Sequence, residues 1–274
     1  MAAKRRWINQ TVLIVALVAL VGSAAAPLLI GALNAPATPP TPGPNTAAPA
    51  TPAGPKPLTA PEREALTSQA KGFAMVLEKE PENPTALQGL IEAKLKLGDF
   101  VGVEQPLSTL VRVNPQQPGY RVLLAQVQQK LGKLDLASQS YRQVLEKDPS
   151  QPEALRGLTA LLLAQNKPDA AVSQLYYLLF EQKDKVPAAR RQELELLLAQ
   201  TYLTTGKVDD ALKLYRQMAQ TTPQDFRPQL AIALVERQRG QAAAATSAFG
   251  KALALAPAQY RDQIRQLQAA PTTR

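Results

Sequence analysis

The sequence predicts an all-α protein whose main body is a solenoid of stacked helix-turn-helix repeats. Proline recurs 34 residues apart within two groups, which are Pro81, Pro115 and Pro149, then Pro223 and Pro257. Glycine keeps the same phase inside these units, at Gly98, Gly132, Gly206 and Gly240. Because proline interrupts a helix and glycine tolerates the left-handed conformation that ends one, each unit should contain two helices joined by a tight turn.

The composition excludes several kinds of chemistry. None of the 274 residues is a cysteine or a histidine, so thiolate nucleophiles, disulfides, imidazole bases and histidine metal sites are impossible. The formal charge is +9, but aromatic residues make up only 5%, which is a poor basis for stacking nucleic-acid bases. We therefore predict a non-enzymatic protein with no catalytic residue, metal or cofactor, and with no nucleic-acid partner.

Residues 1–33 predict a membrane anchor. Three basic residues at positions 4–6 precede an uncharged apolar run that ends at Leu33. As a helix this run is long enough to cross a bilayer, and we assign the membrane contacts to Trp7, Ile8, Leu13, Leu17, Leu20 and Leu29. The basic flank predicts a cytoplasmic N-terminus, so that the remaining chain lies in the periplasm or a lumen.

Two alternatives to this topology stay open. The same segment could be a cleaved signal peptide, since small residues at 22–26 follow an apolar stretch, and the protein would then be a soluble, secreted periplasmic adaptor. Pro27 and the apolar residues after it favour the retained anchor. A solenoid that faces the cytoplasm or stroma would contradict the charge rule.

Residues 34–60 predict a linker, because nine prolines among threonine, alanine and glycine cannot build a core. A stiff, solvated spacer is the favoured interpretation, and a PxxP-type ligand is the alternative. We assign residues 61–83 to an N-terminal capping helix and 260–274 to a C-terminal capping helix and tail. The repeats between them are predicted at 84–117, 118–151, 152–191, 192–225 and 226–259.

Within each repeat, the residue types fit two closely packed helices. Small side chains fall where the helices should cross, at Ala125, Thr159, Ala199 and Ala233 in the first helix and at Ala137, Ala171, Ala211 and Ala245 in the second. Large side chains fill one position of the second helix, at Leu107, Tyr141, Leu175, Tyr215 and Phe249. In the third repeat Asn166 replaces the glycine, and asparagine also tolerates a left-handed helix cap.

These residues resemble the tetratricopeptide repeat family across five repeats in 84–259. The segments YRQVLEKDP (141–149) and YLTTGKVDDALKLYRQM (202–218) match it best. The resemblance implies a protein-binding scaffold whose first helices line a partner-binding groove. In this chain the groove positions are Gln88, Glu92, Val122, Gln126, Arg156, Leu163, Leu196, Gln200, Leu203, Arg227, Leu230, Leu234 and Arg237.

The groove positions predict an apolar or amphipathic segment of a protein as the partner. They lack the lysine and asparagine pair with which one subset of the family grips a chaperone tail, so we do not expect that ligand. The alternative for the leucines is that they pack against the next repeat. We therefore predict a single-pass membrane scaffold that recruits a partner during assembly of a membrane or envelope complex.

Two further features are expectations about the third and fourth repeats. Six extra residues near 181–193 should lengthen the second helix of repeat three and the first helix of repeat four. Of Tyr176, Tyr177 and Phe180, we expect at least two to pack beneath these longer helices. Otherwise the three would form an exposed patch for a partner.

Overall fold

The computed structural model describes residues 58–270, which form helices and no strands. Within this range there are twelve α-helices, as the sequence predicts: α1 (Ala60–Lys79), α2 (Pro84–Leu97), α3 (Phe100–Val113), α4 (Pro118–Lys130), α5 (Leu134–Lys147), α6 (Pro152–Ala164), α7 (Pro168–Tyr176), α8 (Ala188–Thr204), α9 (Val208–Thr221), α10 (Phe226–Gln238), α11 (Ala242–Leu255) and α12 (Ala258–Ala269). The predicted anchor at 1–33 and most of the predicted linker lie outside the described residues. Among residues 58–270 no helix combines the length and the apolar character that crossing a membrane requires.

Left-handed residues end the first helix of each pair. Positive φ angles of 75° to 79° occur at Gly98, Gly132, Gly206 and Gly240. The same place in the third pair is held by Asn166 with φ of 56°, so the prediction for this residue is confirmed. A second set of prolines begins helices: Pro84, Pro118 and Pro152 are the first residues of α2, α4 and α6. At this position a backbone N–H would have no partner within the helix, so proline costs no hydrogen bond there.

The small residues predicted at the helix crossings are buried. Of the eight, Ala125, Ala199, Ala233, Ala137, Ala171 and Ala211 have no accessible surface, and Thr159 and Ala245 are 3% exposed. The large residues of the second helices, from Leu107 to Phe249, are at most 2% exposed. Each pair therefore packs with its backbones close together at the small side chains, while the large side chain fills the space toward the neighbouring helices.

The N-terminal helix α1 covers the first pair. Thr59 and Glu62 form a capping box, in which Glu62 accepts a hydrogen bond from the Thr59 backbone N–H at 2.8 Å. Ala70 is buried and contacts Leu90 and Ala93 of α2, with Phe73 and Leu77 packed alongside. Helix α1 thus occupies the predicted position of an N-terminal cap.

The described chain divides into two compact units, and the division falls inside α5 between Tyr141 and Arg142. The first unit, residues 58–141, has a core of α2, α3 and α4 side chains centred on Leu87, Val103 and Leu107. The second unit, residues 142–270, has a larger core that runs from Leu155 to Ile264.

The six extra residues are distributed differently from the prediction. Helix α7 ends at Tyr176 and continues as a π-helical turn, Tyr177–Glu181, so the second helix of this pair spans 14 residues, like α3 and α5. The first helix of the next pair, α8, is lengthened to 17 residues, compared with 13 in α6. The lengthening of α8 is confirmed and that of α7 is wrong, because the wide turn and a short 3-10 segment, Lys183–Lys185, absorb the remaining residues.

Candidate functional site

The apolar residues of the predicted groove are mostly buried. Side chains at Val122, Leu196, Leu203, Leu230 and Leu234 are between 1% and 6% exposed. The four leucines belong to the continuous core of the second unit, and Leu163 is half-buried. For Val122 and the four leucines, the structure therefore favours packing within the fold over contact with a partner. Their contact with a partner stays a prediction.

The polar residues of the predicted groove remain accessible, and most already have an intramolecular contact. The Gln88 amide donates to the Tyr120 hydroxyl at 2.6 Å, and Glu92 pairs with Lys96 at 2.7 Å. Arg156 pairs with Glu193 at 2.6 Å, and Arg227 pairs with Asp225 at 2.9 Å.

The remaining polar residues of the predicted groove are Arg237, Gln126 and Gln200. Arg237 donates to the Leu267 carbonyl and lies 5.4 Å from the centre of the Phe249 ring. Burial lowers the pKa of Arg237 from its ordinary value. By contrast, the side-chain amides of the half-buried Gln126 and Gln200 make no hydrogen bond within residues 58–270. Among the predicted groove positions, these two amides therefore retain unused hydrogen-bonding groups, and their contact with a partner stays a prediction.

Polar contacts join successive helical pairs within each unit. Two of them connect first helices, Gln88 to Tyr120 and Arg156 to Glu193. Three more connect the start of a second helix to the following tight turn or its flank: Glu104 to Lys133 at 2.6 Å, Asp169 to Lys207 at 3.1 Å and Asp209 to Arg239 at 2.9 Å. Because these pairs are exposed, each stabilises the fold by less than about 1 kcal/mol.

The three aromatic residues beside the π-helical turn are more exposed than predicted. Tyr176 is 44% and Tyr177 is 55% exposed, while Phe180 packs partly against the core of the second unit. The rings of Tyr176 and Phe180 are 4.7 Å apart. The expectation that at least two of the three are covered is wrong, because both tyrosine side chains remain largely accessible to solvent.

An open cleft of about 440 Å³ lies among α9, α10 and α11 of the second unit. We call it the C-terminal cleft. Its walls are formed by Arg216, Ala219 and Gln220 of α9, by Gln229, Ile232 and Glu236 of α10, and by Ala244, Ser247, Ala248 and Lys251 of α11. Its volume is within the range of small-molecule sites, yet it is open enough to receive a side chain of another protein.

A buried carboxylate lies in the wall of the C-terminal cleft. The Glu236 side chain is 7% exposed, and its Oε1 accepts a hydrogen bond from the Arg216 guanidinium at 2.7 Å. Arg216 itself is 58% exposed, and its hydrogen bond to Glu236 uses one of its two terminal nitrogens. Glu236 thereby holds the arginine at the cleft while its own charge is balanced.

The cleft lies at a face of α11 that has few bulky side chains. Ala244, Ser247 and Ala248 lie on this face together with Lys251. At the positions 34 residues before the three small ones, α9 has the larger Asp210, Lys213 and Leu214. Sequence reasoning missed this site, although the comparison between repeats contains the signal. It also missed Glu236, which occupies the position of Tyr202 in the preceding repeat.

Nothing in the described range resembles a metal centre. Among residues 58–270 there is no group of three or more acidic side chains positioned to hold a metal ion. Glu236 has the only carboxylate among the lining residues of the C-terminal cleft, and it already accepts a hydrogen bond from Arg216.

A profile of the tetratricopeptide repeat family matches residues 82–233, more than half of the chain. The chain belongs to the tetratricopeptide repeat family. The match starts two residues before α2 and ends within α10, so it includes the left-handed residues Gly98, Gly132, Asn166 and Gly206, whereas Gly240 and Ala245 lie beyond it. Proteins of this fold are typically non-catalytic and bind other proteins.

Curated relatives with sequence similarity come from bacteria and a plant. The chain is 32% identical over 136 residues to cellulose synthase operon protein C of Pseudomonas fluorescens, which covers 47% of the chain and 10% of that protein. It is 24% identical over 198 residues to protein SLOW GREEN 1, chloroplastic, of Arabidopsis thaliana, covering 72% of the chain and 63% of that protein. The chain thus spans a tenth of the first relative and less than two thirds of the second.

Solved structures show the same fold. Yeast Tom70 superimposes with a TM-score of 0.54 at 16% identity, covering 78% of this chain and 43% of Tom70. The C-terminal part of a TPR repeat-containing protein from Cytophaga hutchinsonii gives 0.53 at 12% identity, covering 73% and 78%. At such identities the likeness concerns the fold alone.

Proposed function

We propose that this protein is a non-catalytic scaffold that holds a protein partner on the exposed faces of its helical repeats. The observation that supports this most is that the side-chain amides of Gln126 and Gln200 make no hydrogen bond within residues 58–270, although the residues around them form a packed core. Polar groups of this kind, on a rigid framework, can bind another chain without rearrangement of the scaffold. The family's usual role as a protein-binding module agrees with this.

We also propose that the scaffold is tethered to a membrane through residues 8–33. This part of the proposal rests on the sequence, whose basic flank and apolar run are typical of a single-pass anchor. A tether of this kind would raise the effective concentration of the repeats near a membrane complex. Release as a soluble adaptor by signal cleavage is the second candidate.

We propose assembly of a membrane or envelope complex as the setting. One relative is named as a cellulose synthase operon protein and another as a chloroplastic protein. Neither name states a partner, so the similarity supports a shared scaffold role. It does not favour either pathway for this chain.

The binding role can be tested with paired glutamine variants of the full-length chain. In one variant Gln126→Ala and Gln200→Ala are combined on first helices, and in the control Gln105→Ala and Gln217→Ala are combined on second helices. Proteins that co-purify from the source cells are compared by quantitative mass spectrometry. We expect the first variant to lose a partner that the control and the unmodified chain retain. Equal recovery from all three would contradict the proposed surface.

The tether can be tested separately by protease protection. Sealed vesicles of known orientation are digested, the C-terminal repeats are detected with an antibody, and the mass of the mature N-terminus is determined. We expect an intact N-terminus and repeats that are protected when the cytoplasmic face is outward. A mature chain that starts after residue 26 would support the secreted adaptor instead.

A further inference from the structure

The C-terminal cleft offers more positive than negative charge to a ligand. Arg216 and Lys251 contribute two cations, whereas Glu236 is the only acid among the lining residues. Since the Glu236 carboxylate is already paired with Arg216, the remaining N–H groups of Arg216 and the Lys251 ammonium are available. The site therefore carries a net positive charge with unused donors, which favours an anionic group.

The shape of the cleft restricts that anion further. Its α11 wall consists of Ala244, Ser247 and Ala248, so a slender aliphatic stem can lie against it while its charged end reaches the cations. Gln220 and Ser247 add neutral donors at the exposed rim. A carboxylate on a short aliphatic stem, as in glutamate or aspartate, has the chemistry that this lining can bind.

The charge of the helices that form and follow the cleft supports the same class of partner. Residues 208–270, which contain α9 to α12, have eight basic and five acidic side chains, a formal charge of +3. A positive field around a cleft attracts an acidic segment before contact and disfavours a basic one.

We infer that the C-terminal cleft binds acidic side chains of a partner protein, with Arg216 and Lys251 forming ion pairs and Glu236 holding Arg216 in position. This inference rests on the proposed function, because the acidic side chains would belong to the protein partner that the scaffold holds. The cleft is a separate surface from the first-helix glutamines, and it lies entirely within the second unit.

The test uses the purified full-length chain and two labelled probes. One probe is an alanine-rich peptide with evenly spaced glutamates, and the other is the same peptide with lysines in their place. Fluorescence anisotropy should show binding of the glutamate probe, weakened by added salt. Arg216→Glu should weaken that binding at least about tenfold, because it both removes a cation and adds a repulsive charge.

Two control variants separate the cleft from general electrostatics. Arg265→Ala removes one positive charge from the exposed face of α12 and should change the affinity by no more than about twofold. Lys251→Arg keeps the charge of the cleft and should bind the probe normally. Carbodiimide coupling should join a probe glutamate to Lys251 in the unmodified chain, and this adduct should disappear in Lys251→Arg.

Each alternative result overturns the inference in a recognisable way. Equal loss of binding in Arg265→Ala would indicate non-specific attraction, and preference for the lysine probe would assign the site to Glu236. Displacement of the probe by free glutamate at similar concentrations would indicate a small-molecule site. A chain that captures a partner through Gln126 and Gln200 but ignores the glutamate probe would keep the proposed function and lose this inference.

Discussion

At the residue scale, identical side chains at the same position of two repeats differ in their hydrogen bonds. Tyr141 and Tyr215 occupy the same position in two repeats, and both are buried. Burial raises the pKa of Tyr141 to about 12 and that of Tyr215 further above its ordinary value. The Tyr141 hydroxyl reaches Gln129 at 3.5 Å, whereas the Tyr215 hydroxyl has no hydrogen-bond partner among residues 58–270.

This difference predicts that Tyr215→Phe stabilises the protein. Removal of a buried hydroxyl without a partner should raise the free energy of unfolding by about 1 kcal/mol, since its desolvation is no longer uncompensated. Urea denaturation followed by circular dichroism measures the change. Tyr141→Phe is the matched control and should not stabilise the chain. Destabilisation by Tyr215→Phe would mean that the hydroxyl has a partner in solution.

The burial of the predicted groove leucines leads to a second prediction. Leu196 is 1% exposed within the core of the second unit, so Leu196→Ala should lower the free energy of unfolding by about 2–5 kcal/mol. Gln200→Ala, one turn further along α8, should change it by less than about 0.5 kcal/mol. If Leu196→Ala leaves stability unchanged but weakens partner capture, the side chain belongs to the binding surface after all.

At the element scale, helix α1 depends on a close contact with α2. A β-carbon at Gly89 would lie 2.2 Å from the ring of Phe73, whereas one at Gly72 on α1 would meet nothing within 4 Å. Both glycines are inside helices, so alanine improves the helix propensity of each by up to about 1 kcal/mol. Only at Gly89 is this gain opposed by a clash.

Gly89→Ala should therefore weaken the docking of α1. We expect a net loss of about 1–2 kcal/mol, because the displaced Phe73 ring loses its packing, and faster amide hydrogen exchange in α1. Gly72→Ala should instead slightly raise the free energy of unfolding. Similar stabilisation by both substitutions would show that Phe73 can move aside without strain.

The connection between α5 and α6 is tied to α8 through Asp148. Burial acts to raise the pKa of this carboxyl, but hydrogen bonds from Arg190 and Ser150 outweigh it and hold the pKa below its ordinary value of 3.8. The ionised carboxyl thus stabilises the fold above that value, and this stabilisation is lost as the pH falls through the lowered pKa.

Asp148→Asn should accordingly destabilise the chain most at neutral pH. We expect a difference in unfolding free energy of up to about 1 kcal/mol that shrinks as the pH falls below 4, since the pair is partly exposed. Denaturation curves across the acid range measure it. The exposed Asp184, changed to asparagine, should show no such trend. If Asp148→Asn changed the unfolding free energy by the same amount at all pH values, ionisation of Asp148 would not contribute to stability.

At the scale of the whole molecule, the predictable features are those encoded by local signals. Proline and glycine act within a few residues of themselves, so the phase of the repeats and the left-handed Asn166 could be predicted from the sequence. The exposure of Leu196 or Tyr177 depends on neighbouring helices and on the wide turn after α7, which no local pattern specifies. The C-terminal cleft similarly depends on the small side chains of α11, which replace larger ones at the equivalent positions of α9.

The central claim is that the repeats hold a protein partner, and site-specific photocrosslinking in the source cells tests it most directly. A photoreactive amino acid is placed at Gln88, Gln200 or Ser247, and at Ser68 on the exposed side of α1 as the control. We predict discrete adducts with a second protein at one or more of the first three positions and none at Ser68. If no adduct forms at Gln88, Gln200 or Ser247, or if the same adducts form at Ser68, these surfaces do not hold a partner.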